Sequence, residues 1–373
     1  MNKQLICAGA LAATALLMPD PVAAGASPHI RVGHVGHDHH LALFVAADHS
    51  ARSAGKAGFL MRPVKKHKLY ELLKGKRKLA TVELIKVGGG SKMPTALAQG
   101  VIDVGLGGTA PVLAAVDKGA PLRLIAPLHN KGDMFVLAPT FPADTWQEFV
   151  EKARKAQEPI RIGYKSPVAV AKVIFEEALK HEGLTFSGNV SDRNVNVRMI
   201  NVKGGGKLNA SLAAGLVDGY AGNNPFPAIG EEKKILKIVI DIEDLPPRKF
   251  KNHPCCCVAA NNKATETKKE IITALLVLLI QGTELINRDI DIAATSAAEW
   301  IGTTEKVEKR SIPTSGYSMA ASKEWHEQMK VWLAAMNELG IFSGKLKNLD
   351  EKRVAAIACD LALLREAWKH VED

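Results

Sequence analysis

The stretch VGGGSKMPTALAQGVID, from Val87 to Asp103, returns without a gap as VKGGGKLNASLAAGLVD, from Val202 to Asp218. Ahead of each copy stands a β-branched run closed by glycine, Ile30-Arg31-Val32-Gly33 in one half and Ile160-Arg161-Ile162-Gly163 in the other. The order of the two signals is the same in both halves. Strand, helix, strand, glycine loop, helix and strand make a parallel α/β unit with crossover helices. A solenoid would need a short period repeated many times, which one long duplication does not supply.

In open α/β sheets, ligands bind beyond the carboxyl ends of the strands. Two such lobes facing each other place the segments 34–40, 88–93, 163–170 and 204–209 around one cleft. The loops Gly107-Gly108-Thr109-Ala110-Pro111 and Gly222-Asn223-Asn224-Pro225 join them. Free backbone N–H groups at helix starts make such a cleft receptive to an anion or a polar head group.

At the amino terminus, Lys3 precedes an apolar run from Leu5 to Met18, then Pro19, Pro21 and the small residues Val22, Ala24 and Ala26. This pattern predicts a secretory signal peptide over 1–24 and a periplasmic, soluble mature protein. Cys7 sits too early in the run to be a lipidation site, so no lipid anchor is expected. The roughly 350 residues that remain suit two lobes. The formal charge of +10 favours anionic partners. The run Lys65, Lys66, Lys68, Lys74, Lys76, Arg77 and Lys78, however, reads as a solvated helical surface, and sparse aromatics argue against nucleic acid. Four cysteines outside the signal, Cys255, Cys256, Cys257 and Cys359, are too few for a disulfide scaffold.

The glycine loop, the following Leu97-Ala98-Gln99-Gly100-Val101-Ile102-Asp103-Val104-Gly105 and Gly108-Thr109-Ala110-Pro111 resemble the substrate-binding components of nitrate, sulfonate, taurine and bicarbonate ABC importers (the NitT/TauT, NMT1/THI5-like family). So does Asp218-Gly219-Tyr220-Ala221-Gly222-Asn223-Asn224-Pro225-Phe226 in the second half. The resemblance covers about 30–260. It implies a type II periplasmic-binding fold, hinge closure around a small polar or anionic solute without catalysis, and docking of a monomer to an ABC permease of the inner membrane. In that fold the chain leaves lobe 1 at 124–138, builds lobe 2 at 135–245 and returns at 235–258. Lobe 1 is then 30–130 with 250–373. Helical patterns are expected at 265–288, 322–338 and 350–370, with Trp325 and Trp332 as core packing.

The segment His34, His37, Asp38, His39 and His40 crowds the loop after the first strand, where the fold presents side chains to the cleft. Imidazole and carboxylate at that density hydrogen-bond a polar solute, with Asp38 as a helix cap. The alternative is a receptor for a metal ion or chelate, with His37, His39 and His40 as candidate ligands and no other cofactor. The expected solute contacts are His37, Asp38, His39, His40, Gly89, Gly90, Ser91, Gly108 and Thr109 from lobe 1, and Ser166, Pro167, Val168, Asn223 and Asn224 from lobe 2. His129 and His253, near the crossovers, are placed to approach the same cleft. In His253-Pro254-Cys255-Cys256-Cys257, strand alternation puts Cys255 and Cys257 on one side and Cys256 on the other. The run reads as small buried hydrophobes, with Cys359 as the only non-adjacent disulfide partner. It is also similar to part of the cysteine run of thiamine-pyrimidine synthases, an enzymatic alternative that the export signal disfavours. Other signatures fail on context. Gly204-Gly205-Gly206-Lys207 is followed by Leu208, not the hydroxyl a P-loop needs, and neither a Gly-x-Ser-x-Gly elbow nor Cys-x-x-Cys-His occurs.

Overall fold

The computed structural model describes residues 28–53, 58–89 and 92–372; the expected signal peptide at 1–24 and the site residues Gly90 and Ser91 lie outside them. The strands in chain order are β1 (His29–His34), β2 (Phe59–Lys65), β3 (Leu69–Lys74), β4 (Arg77–Lys86), β5 (Val104–Gly108), β6 (Leu122–Lys131) and β7 (Asp133–Leu137). They continue with β8 (Ile160–Tyr164), β9 (Phe186–Ser187), β10 (Val197–Asn201), β11 (Gly219–Asn223), β12 (Lys237–Asp241), β13 (Pro254–Asn261) and β14 (Ser315–Tyr317).

They form two sheets, β14-β6-β13-β5-β1-β4-β3-β2 and β12-β7-β11-β8-β10-β9. In each, a central strand from the repeat, β1 or β8, is flanked by parallel neighbours, β4 and β5 or β10 and β11. An antiparallel strand that has crossed from the other sheet comes next, β13 beside β5 and β7 beside β11. The duplicated sequence therefore builds one strand order twice.

The shared Arg and Asp of the repeat form one clamp, also made twice. Asp103 N donates to Arg31 O at 2.9 Å, and Arg31 N donates back to Asp103 Oδ2 at 2.8 Å. Asp218 N to Arg161 O and Arg161 N to Asp218 Oδ2 repeat both bonds at 2.8 Å. Each guanidinium also pairs with its carboxylate. The aspartate thus ends the helix–turn segment of the glycine loop and fixes the start of the next strand beside the central one.

Three sequence expectations are corrected. The basic run at 65–78 lies on the antiparallel strands β2, β3 and β4, not on a helix. His67 and Gly75, at φ 64° and 57°, turn the chain, while Tyr70 and Leu72 alternate inward and the lysines stay out. The pattern at 265–288 splits at Lys268 into helices Asn262–Thr267 and Lys269–Arg288. That at 350–370 splits at the extended Cys359 into Glu351–Ala358 and Ala362–Glu372. Helices Ile290–Ile301 and Glu305–Ser311, capped by Asp289 and Thr304, are additional. Helix Lys323–Glu338 falls where expected, and Trp332 is fully buried with Nε1 donating to Pro254 O at 3.1 Å.

Helix Lys269–Arg288 is long and apolar enough to cross a membrane, yet 83% of its apolar window is buried within the protein. It packs on helix Leu41–Ser53 so closely that a Cβ on Gly282 would meet Ala42 O at 2.5 Å. This fixes the helix that follows the histidine loop.

The clamp gives a stability prediction. Asp103 is 7% exposed and also pairs with Lys268 at 3.0 Å, whereas Asp218 is half-buried. Asp103→Ala strands buried donors and should cost about 2–3 kcal/mol in urea unfolding. Asp218→Ala should cost less because solvent replaces part of its pair. Equal or negligible losses would contradict the clamp's role.

Candidate functional site

The carboxyl ends of β1, β5, β8 and β11 converge where the two sheets meet. Between them is a narrow cavity of about 20 Å³, lined from the first sheet by His37, His39, His40, Gly108 and Cys255–Cys256 and from the second by Lys165, Ser166 and Val170. That is room for one water molecule or one ion. A larger groove of about 740 Å³, lined by Asp48, His49, Met61, Lys66 and Glu299, lies between helix Leu41–Ser53 and the β2–β3 hairpin, away from these strand ends.

After β1, the chain makes a single 3₁₀ turn, Asp38–His40, and enters helix Leu41–Ser53. All of His37, Asp38, His39 and His40 are buried. Asp38 is not the helix cap: it accepts from Ser311 Oγ, and Tyr317 donates its hydroxyl to Asp38 O at 3.0 Å. Tertiary partners from the carboxyl-terminal region have taken the carboxylate from the local backbone. Val35 N donates to His40 Nδ1 at 2.9 Å, and the His37 ring packs 4.6 Å from His40 and 5.2 Å from His39. His34 turns away, edge-on to Phe44 and Trp300, and burial, with His40 and Lys86 nearby, lowers its pKa to about 3.

The crossovers supply the rest. His129 near the end of β6, Asp133 at the start of β7 and His253 just before β13 are fully buried. Gly132 joins β6 to β7 at φ +87°, where a Cβ would strike Ser315 Oγ and lie 2.9 Å from His39 Nε2. Its carbonyl accepts from His39 Nε2 and from Asn224 N, each at 3.0 Å. Glycine is required here by both the left-handed backbone and the close imidazole.

The strand alternation expected for the cysteines does not hold. Register shifts at Pro254/Cys256 and Cys256/Cys257 bulge β13 against β6, and a bulge re-aims side chains. Cys255 Sγ and Cys256 Sγ consequently lie 4.0 Å apart, beside His39 Nδ1 at 3.5 and 3.9 Å. All four described cysteines are free thiols, including Cys359.

Cys255 donates to Asp133 Oδ2 at 3.2 Å, and burial, with Cys256 and Asp133 adjacent, pushes its pKa well up. Burial opposes charge on Cys256, but hydrogen bonding from Cys255 and the nearby His129 and His39 outweigh it and hold this thiol well below its ordinary range. Burial likewise opposes charge on His39, and Cys256, Asp38 and Asp133 outweigh it, raising its pKa to about 9. The site therefore sets a thiol of raised acidity against an imidazole of raised basicity, both buried.

Of the remaining residues expected here, Ser166 and Gly108 line the cavity. Asn223 accepts from Lys165 Nζ and donates to Asn224 O at 2.6 Å, and Asn224 Nδ2 reaches Thr314 Oγ1 at 2.6 Å across the sheets. Thr109 is fully buried at the helix start behind Gly108. Gly89, Pro167 and Val168 stand outside the cavity lining, with Pro167 exposed. Lys165, Asp133, Ser311 and Tyr317 had no sequence signal beyond position: each joins the cluster only through the crossing of the two sheets.

Two sheets of repeated strand order closing on a cavity at their strand ends define a two-lobed binding architecture. A family model described as the NMT1-like family matches residues 24–302, and the chain belongs to that family. The uncharacterised protein MJ1180 of Methanocaldococcus jannaschii is 38% identical over 105 residues, 28% of this chain and 72% of that protein. The ligand-binding component of an ABC-type import system from Staphylococcus aureus, solved with zinc bound, has a similar structure at 14% identity and TM-score 0.70, covering 91% of this chain and 99% of that one. The nitrate-binding protein NrtA from Synechocystis is 13% identical at TM-score 0.68, covering 93% and 89%. The alkanesulfonate-binding protein SsuA from Xanthomonas axonopodis pv. citri, bound to MOPS, is 16% identical at TM-score 0.65, covering 90% and 100%. These likenesses show the periplasmic-binding-protein fold.

Behind the histidine turn, Glu308 is buried against Asp38, and burial together with that carboxylate pushes its pKa up to about 8. A carboxyl whose folded pKa exceeds its unfolded value of about 4.3 binds more protons when folded, so its contribution to stability falls as pH rises between the two values. Glu308→Gln removes this loss. Its melting temperature relative to the parent should climb from pH 5 to pH 8 and level off above; a difference independent of pH would refute the assignment.

Proposed function

We propose that the chain is the solute-binding component of an ABC importer, closing its two lobes on a small polar or anionic solute and delivering it to an inner-membrane permease. The observation that carries this reading is the cavity itself, built from both sheets at the carboxyl ends of the duplicated strands, with His37, His39 and His40 on one side and Lys165 and Ser166 on the other. Helices Thr109–Asp117 and Val170–His181 begin at its edge, and their free N–H groups favour negative charge there. The fold shared with nitrate- and sulfonate-binding proteins supports the same class of solute. In this reading residues 1–24 are the export signal, the mature protein is a lipid-free periplasmic monomer, and binding without bond making is its task.

An organic solute needs roughly 300 Å³ or more, so the cavity described is that of a closed form which opens by rotation of the lobes. Such a solute must favour the closed state by differential contact.

Native mass spectrometry of protein taken from its own periplasm identifies the retained solute, and small-angle scattering then reads the lobes. The radius of gyration should contract on adding that solute, and Lys165→Ala should weaken its affinity by about tenfold or more, the equivalent of one charge-assisted hydrogen bond. An unchanged scattering profile across saturating solute would end the importer reading.

A further inference from the structure

The donors around the cysteines have the composition and spacing of a metal centre. His39, His129, Cys255 and Cys256 are all buried, and one ligand atom from each lies within 4.8 Å of the others. A tetrahedral ion with metal–sulfur bonds of about 2.3 Å and metal–nitrogen bonds of about 2.0–2.1 Å holds two sulfurs about 3.8 Å apart and a sulfur and nitrogen about 3.6 Å apart. The sulfurs here are 4.0 Å apart, and His39 Nδ1 is 3.5 and 3.9 Å from them.

The outer hydrogen bonds fit as well. His39 directs Nε2 to the Gly132 carbonyl at 3.0 Å, which leaves Nδ1 facing the thiols, where a bound cation would take the place of a proton. His129 directs Nδ1 to Asn130 O at 3.1 Å, and its fully buried Nε2, with no hydrogen bond, faces Cys256. An imidazole whose far N–H is held by a carbonyl is the usual state of a metal ligand, because that bond fixes tautomer and ring orientation. His253 shows the same arrangement one step out, with Nδ1 on Phe250 O at 3.0 Å and Nε2 3.7 Å from the Asp133 carboxylate that touches Cys255.

From this geometry we propose that the cleft binds a thiophilic d¹⁰ cation, Zn²⁺ or Cu⁺, through the thiolates of Cys255 and Cys256 and the imidazoles of His39 and His129. The proposal deepens the binding-protein reading by naming an occupant of that same site. Two sulfur and two nitrogen donors select soft ions over Mg²⁺ or Ca²⁺. Two thiolates neutralise a dication in a place water scarcely reaches. A cavity of about 20 Å³ admits an ion without opening the lobes further. The set differs from the His37, His39 and His40 ligands expected from sequence: only His39 is shared, and the bulge in β13 brings in the two sulfurs. His40 remains a neighbour of Cys256 in the wall of the cavity.

The test uses full-length mature protein, reduced and stripped of metal. Titration with Co²⁺ should saturate at about one equivalent, with an intense sulfur-to-cobalt charge-transfer band and tetrahedral d–d bands that Zn²⁺ abolishes. Competition against a Zn²⁺ chelator and against a Cu⁺ chelator then ranks the two ions. Cys255→Ser and Cys256→Ser should each weaken Zn²⁺ binding by about 100-fold or more, while Cys359→Ala, outside the set, should not. X-ray absorption of the Zn²⁺-loaded parent needs no variant and should give two sulfurs at about 2.3 Å and two nitrogens at about 2.0 Å. An octahedral Co²⁺ spectrum without the charge-transfer band, or a zinc shell of oxygen and nitrogen alone, overturns the proposal. Retention of an organic solute by protein that shows either result overturns the metal site and leaves the importer reading standing. Thiolate-bound metal with no lobe contraction for any solute or ion does the reverse.

Discussion

A one-residue bridge, Gly132, ties the polar centres of the two lobes together. Gly132 carries the chain from the end of β6 to the start of β7, that is, from one sheet into the other, in a left-handed backbone that a side chain would block. Its carbonyl receives an N–H from His39 of the first lobe and another from Asn224 of the second. Shift that carbonyl and both partners lose their place. The return strand β13 enters beside it, and its bulge turns two successive thiols toward the imidazole that Gly132 has oriented. The crossing between sheets and the cluster of imidazole and thiols thus share the same few ångströms of backbone.

The surrounding energetics explain why such a polar centre is tolerated. Buried ionic groups persist when they are paired and hydrogen-bonded. Here His39 Nδ1 faces Cys256 Sγ, Asp38 is held by Ser311, and Asp133 is touched by Cys255. Around them the sheets are sealed by apolar layers, including the helix Lys269–Arg288 that presses on the helix following the histidine turn. The turn cannot relax outward without disrupting that contact.

Much of this was legible from residues alone. The repeat gave the two lobes and their common strand order, because Ile30–Gly33 and Ile160–Gly163 mark the central strands and Asp103 and Asp218 their clamps. The histidine loop was recognisable because a density of His and Asp after a first strand has no packing purpose. The cysteines were misread for a definite reason: period-two alternation assumes an unbroken ladder, and β13 is bulged at the very residues in question. Lys165 lies within the segment 163–170 that the repeat places at the cleft but carries no mark of its own, and Asp133 opens the apolar strand DMFVL. Their meaning depends on which strands become neighbours across sheets, and local propensity carries no trace of that. Helices Ile290–Ile301 and Glu305–Ser311 were passed over although Asp289, Gly302 and Thr304 punctuate them in the ordinary way.

The clamp also has a reach beyond the halves it closes. Because Asp103 and Asp218 occupy matching places in the two copies, each lobe is tied shut at the base of its central strand, the end remote from the cavity. On the proposed opening of the lobes, tied roots would let each half turn about the bridge as a lever, with the larger travel at the mouth. Duplication therefore did more than double a scaffold: it gave both lobes the same tie at the root of the central strand.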